Sequence, residues 1–136
     1  MMNTLKSWFR RLTPDAAAHM ATPQHQSMRF QLCLHQLEVG TLLLLDGGTW
    51  RFEYAEAFRR QQHIKPLVGF PDVAKVYLSD HLWPFFASRI PTPDQPYVRE
   101  RAQHKQLDLN NPAEMLREFG QRTITNPYAL QELVEA

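Results

Sequence analysis

Ser79, Asp80 and His81 bring the residue types of a nucleophilic triad side by side. A serine attacks only when an imidazole takes its proton and a carboxylate orients that imidazole, three groups that converge from separate elements. Immediate neighbours rarely do so, and Ser79 and Asp80 are expected instead to cap a following helix. The histidines, at 19, 25, 35, 63, 81 and 104, never fall at i, i+3 or i+4 from one another, and Cys33 is the one cysteine. Spacing therefore supplies no zinc site. The phosphate-cradling patterns GxGxxG and GxxxxGK[ST] do not occur, nor do HRD and DFG. The expectation is a chain without catalysis of its own, without metal and without cofactor.

A chain of 136 residues has the size of one domain. Its 43% hydrophobic and 21% charged residues are those of an ordinary globular protein. Fifteen basic and fourteen acidic side chains leave a formal charge of +1, which is not the concentrated basic field of a nucleic-acid binder. One cysteine makes no internal disulfide, and the longest apolar run, "TLLLL" at 41–45, is too short to cross a bilayer. Together these point to a cytoplasmic protein.

Any working residues must be carried by elements the pattern can define. In "LKSWFRRL", Leu5, Trp8, Phe9 and Leu12 fall at i, i+3, i+4 and i+7, an amphipathic pattern of barely two turns that reads as a fraying terminus or as a transient contact with a membrane surface or a partner. With the linker-like "TPDAAAHMATPQHQS" it makes residues 1–27 a tail ahead of a domain at 28–136. From Met28 the period becomes two, and Phe30, Leu32 and Leu34 alternate with polar neighbours. "EVGTLLLL" is a second strand with a bulge or close approach at Gly40, "DGG" at 46–48 a tight turn, and "TWRFEY" a third strand. An antiparallel meander follows. "AEAFRRQQH" is a short helical stretch, "KPLVGFP" an extended one, "AKVYL" a further strand and "HLWPFFASR" a helix with Pro84 in its first turn.

Three helix starts come next: Asp94 before Gln95-Pro96 and "YVRERAQHK", Asn111 before "PAEMLREF", and Asn126 before "PYALQELV". Asn111 has Pro112 at the first helical position, Glu114 at the capping-box position and Gly120 as its stop. The last two helices do not form a helix-turn-helix, because the seven-residue "GQRTITN" between them is too long. No direct nucleic-acid contact is expected. Strands first and helices later give an α+β fold, a small antiparallel sheet packed with short C-terminal helices.

The ordered run "VGTLLLLDGGTWRFEYAEAF", "KPLVGFP" and "LWPFFASRIP" resembles the N-terminal subdomain of HipA-type kinases. The residues carrying the match are Val39, Gly40, Leu42, Gly47, Phe52, Tyr54, Pro66, Leu67, Pro71, Phe85, Phe86, Ile90 and Pro91. "EMLREFGQRTI" falls where such modules place an amphipathic helix, and the likeness spans residues 28–125. Two departures stand out. "PLVGFP" lacks the usual serines, and the chain stops where a full HipA kinase would begin its second N-terminal segment and catalytic lobe.

The resemblance implies a non-catalytic binding module. In full-length HipA proteins this subdomain packs on the kinase core. In three-component HipBST systems a small protein of this type, HipS, docks on the kinase HipT and neutralises it, while HipB supplies a helix-turn-helix. The expected function is therefore antitoxin-like: docking on and inhibiting a HipA/HipT-type serine/threonine kinase, with a HipB-like helix-turn-helix protein as a further expected partner. The alternative is a non-inhibitory accessory protein tethered to a membrane surface through residues 1–12. Within that frame Phe85 and Phe86 are expected in the core and Trp83 at its edge. The proline-stiffened "TPDQPYVRE" is the candidate working surface, with Tyr97 presented at low entropic cost. Trp83, Arg89, Tyr97, Arg99 and Arg101 are the candidate partner-binding residues, the arginines pairing with acidic groups.

Overall fold

A computed structural model describes Thr22, Pro23 and residues 26–134. Alternation dictates the first elements. β1 (Met28–Leu34) buries Met28, Phe30 and Leu32, β2 (Leu37–Leu45) buries Val39, Leu42 and Leu44, and β3 (Thr49–Tyr54) buries Trp50, Phe52 and Tyr54. With β4 (Tyr77–Ser79) and β5 (Ala129–Glu132) they form a five-stranded sheet in the order β4-β3-β2-β1-β5, antiparallel at every pairing. Among the described residues four short helices join it: α1 (Glu56–Arg60), α2 (Pro84–Ala87), α3 (Pro96–Lys105) and α4 (Pro112–Phe119). The fold is α+β, as the element order requires.

Both glycine expectations in the meander hold. The three-residue turn between β2 and β3 sets Gly47 at φ +97° and Gly48 at φ +89°, a region costly to any residue with a Cβ. At Gly40 the reason is space. A Cβ there would lie 2.6 Å from Phe52 Cζ and 2.7 Å from the Glu53 carbonyl oxygen. Register slips beside it, since Leu32 faces Gly40 while Cys33 faces Glu38, leaving Val39 as the bulged residue. The displaced Val39 carbonyl accepts from Ala55 N–H at 2.8 Å.

One face of the sheet carries the core. Phe58, Leu67, Phe70, Leu82, Phe86, Ile90, Met115 and Leu116 are all buried over it. Phe70 is the hub, with ring centroids 4.7 Å from Phe52, 5.1 Å from Trp83 and 5.0 Å from Tyr77. Burying each such ring is worth about 1.5–3 kcal/mol. The Tyr54 hydroxyl fastens "PLVGF" beneath the sheet, donating to the Phe70 carbonyl at 2.6 Å and accepting from Leu67 N–H at 2.9 Å. Burial pushes the Tyr54 phenol up to about 12.

Several boundaries differ from the sequence reading. "PYALQELV" is not a helix. Its residues 129–132 form β5 along the open edge of β1, with Leu130 opposite Leu32. Asn126 does accept from a nearby amide, Tyr128 N–H at 3.1 Å, but it closes a turn rather than starting a helix. A short helix gains little by itself, whereas the strand completes a ladder and buries Leu130. "AKVYL" enters the sheet only at Tyr77, because Asp72 folds 72–75 into a turn, accepting from Ala74 and Lys75 N–H. α2 begins after Trp83, so neither Ser79 nor Asp80 caps it.

The cap at Asn111 is as expected, its side-chain oxygen accepting from Ala113 and Glu114 N–H. Glu114 turns instead to Asp108 N–H at 2.9 Å. Ahead of β1, Thr22 is buried and belongs to the folded unit. Its hydroxyl accepts from the Trp50 indole at 3.0 Å and donates to the Asp80 carbonyl at 2.8 Å. The amphipathic stretch at 5–12 lies outside the described residues.

Candidate docking surface

The corner between α2 and α3 is built by proline and by Arg99. Pro91, Pro93 and Pro96 restrict the backbone. Arg99 then reaches back from the first turn of α3, donating to the Pro93 and Asp94 carbonyls at 3.1 and 2.9 Å. Pro96 opens α3 with no side-chain cap before it. Val98 and Ala102 bury the inner face of the helix, which leaves neighbouring Tyr97 turned outward and 55% exposed. Its ring meets that of Phe119 edge to face at a centroid distance of 6.3 Å. Arg101 and Lys105, one turn apart, share Glu118 of α4 at 3.1 and 2.9 Å. The Lys105 hydrogen bond first, then that of Arg101, holds the Glu118 carboxyl below its ordinary range despite an opposing desolvation.

The five candidate residues therefore divide. Tyr97 is presented to solvent. Arg99 and Arg101 are exposed but engaged within the chain, Arg99 bracing the corner from which Tyr97 projects and Arg101 tying α3 to α4. Trp83 is half-buried against Phe70. Arg89 departs furthest from a partner-facing role, since it is only 4% exposed. Its guanidinium donates to the carbonyls of Gly120, Gln121 and Tyr128 and to Asn126 Oδ1. Among the described residues no carboxylate accepts from it, and burial lowers its pKa to about 10, which still leaves it charged at neutral pH. The spacing of Arg89 behind Phe85-Phe86 gave no warning of this, because its acceptors lie more than thirty positions along the chain. Phe86 is fully buried, and Phe85 is half-buried with its ring on Tyr128 at 5.8 Å.

Sequence reasoning passed over the loop those bonds enclose, residues 120–128. Ile124 at its tip is fully exposed, a fact hidden while 127–134 was read as a helix.

The triad types come together only as a local turn. Asp80 Oδ1 meets His81 Nδ1 at 2.7 Å, but Ser79 Oγ accepts from the backbone N–H of His81, not from its ring. Among the described residues no group of three or more His, Cys, Asp or Glu side chains is placed to hold a metal. No described helix is long and apolar enough to cross a membrane.

Comparison with known proteins agrees with the architecture. No curated protein matches the chain. The family model of the HipA N-terminal domain matches residues 30–125, from the second buried position of β1 through the loop that precedes β5. No kinase domain lies within these 136 residues. With most of its length matched, the chain belongs to the HipA N-terminal domain family.

Proposed function

We propose that this domain is a non-catalytic regulator that docks on a HipA/HipT-type serine/threonine kinase and holds it inactive, in the manner of an antitoxin. The supporting observation is the family match over 30–125, in a sequence that contains no kinase domain of its own. A HipA-system context makes a kinase the natural partner, with a HipB-like helix-turn-helix protein as a further one. The braced corner adds physical support. An aromatic ring held outward by Arg99 and the prolines loses little conformational freedom on entering a cleft. Tyr97 is the anchor and Arg99 fixes the corner it projects from, while Arg101 and Trp83 are further contacts.

Co-expression with HipA-type kinases of the same genome tests the reading. The full chain should relieve kinase-induced growth arrest, and Tyr97→Ala should weaken relief while the protein stays folded. No protection against any of those kinases would overturn the proposal.

A second reading takes its support from the sequence 5–12, whose apolar stripe and three basic residues suit an anionic membrane surface. There the domain would be a tethered accessory protein without inhibitory action. Co-sedimentation of the full chain with anionic lipid vesicles, lost in Trp8→Ser with Phe9→Ser, would favour it.

A further inference from the structure

We propose that the loop 120–128 is a second docking element, a preformed turn whose apolar tip, Ile124, enters a hydrophobic pocket rimmed with carboxylates on the kinase. This rests on the docking reading above and assigns to that interface a contact separate from Tyr97.

A lone exposed aliphatic residue is ordinary on a protein surface. What marks Ile124 out is the construction beneath it. One buried guanidinium ties both ends of the loop together, the Gly120 and Gln121 carbonyls on one side and Asn126 and the Tyr128 carbonyl on the other. Gln121 O also accepts from Leu130 N–H at 2.9 Å, fastening the loop to the start of β5. At the tip, the hydroxyls of Thr123 and Thr125 lie 3.0 Å apart, and Thr125 N–H donates to Thr123 Oγ1 at 3.3 Å. Ile124 sits between them with its side chain clear of the rest of the molecule.

Burying a cation without a carboxylate is costly, and the bonds that offset the cost all go to fixing this loop. The fold receives no apolar burial from Ile124 in return. A branched side chain on a turn already ordered can enter a pocket without the entropic loss a mobile loop would suffer.

Charge selects the rim of the pocket. Between 119 and 131 the only charged residue is Arg122, two positions from the tip and exposed. An apolar cavity edged by Asp or Glu complements that pair. A bilayer does not, because one isoleucine and one arginine offer too little apolar area to hold a membrane.

The test is titration calorimetry of the full chain against the catalytic core of a HipA-type kinase of the same genome, with Ile124→Asp and Arg122→Glu alongside the unmodified protein. Ile124→Asp should weaken binding by about tenfold or more, as loss of a central anchor does, with its melting temperature unchanged. Arg122→Glu should weaken it too, with a shallower salt dependence. Binding by both variants equal to that of the unmodified chain would overturn the assignment of the loop while leaving the docking reading intact. Failure of the unmodified chain to bind would overturn both.

Discussion

Arg89 Nη2 donates to the Tyr128 carbonyl across 2.7 Å, joining the turn after α2 to the entry of β5. The bond spans 39 positions of chain, and with its companions it makes one side chain the fastening of the C-terminal quarter. Arg89→Met keeps the stem and removes the donors, taking the guanidinium from the buried Gly120 carbonyl. It should lower stability by about 2–4 kcal/mol, read as the shift in a urea unfolding curve. A loss under about 1 kcal/mol would show that water replaces the guanidinium without penalty. Arg89→Lys should restore little, since an ammonium has no planar fork to span four acceptors.

Tyr54 offers a pH-dependent check. Its phenol is held up at about 12 by burial, above the ordinary value of 10. A group whose folded pKa is raised contributes stability in full below the unfolded pKa and loses it as pH climbs through the folded one. Unfolding free energy should therefore fall more steeply between pH 10 and 12 in the native protein than in Tyr54→Phe. At neutral pH the same variant orphans Leu67 N–H and the Phe70 carbonyl and should cost about 1–3 kcal/mol. Parallel pH profiles for the two proteins would contradict the burial of this hydroxyl.

Gly40→Ala tests the close approach of β2 to β3. The added methyl meets the Glu53 carbonyl, which belongs to the ladder and cannot swing aside as a side chain would. A destabilisation of about 1–3 kcal/mol follows, measured by thermal melting. An unchanged melting temperature would mean that the sheet relaxes at the Val39 bulge.

Thr22→Val asks whether the domain starts before β1. It is nearly isosteric, yet it strips the acceptor from the Trp50 indole and the donor from the Asp80 carbonyl. Stability should drop by about 1–2 kcal/mol, with a shift in Trp50 emission. No change in either would mean that Thr22 contributes nothing to the domain.

Local physics made much of the fold legible. Period-two alternation from Met28 to Tyr54 found three strands because burial on one face imposes it. Asn111-Pro112 found α4 because its cap is closed by neighbours in sequence. Asn126-Pro127 misled for the same reason. The local signal was real, but the open edge of β1, nearly a hundred residues earlier, decided the conformation of 129–132. The candidate site was legible in part. Tyr97 could be placed on a stiff corner from proline spacing alone. The inward turn of Arg89 could not, since a cation among carbonyls has no partner of opposite charge to betray it. Ile124 stayed hidden because exposure in a loop depends on where both ends are tied.

The most direct test of the central claim is the phosphorylation rate of a HipA-type kinase core of the same genome, with the full chain added in increasing amounts. Docking with inhibition requires the rate to fall to a low plateau near one equivalent, and Tyr97→Ala to need about tenfold more protein for the same effect. A rate unaltered by a molar excess of the folded domain, for every such kinase, would contradict it.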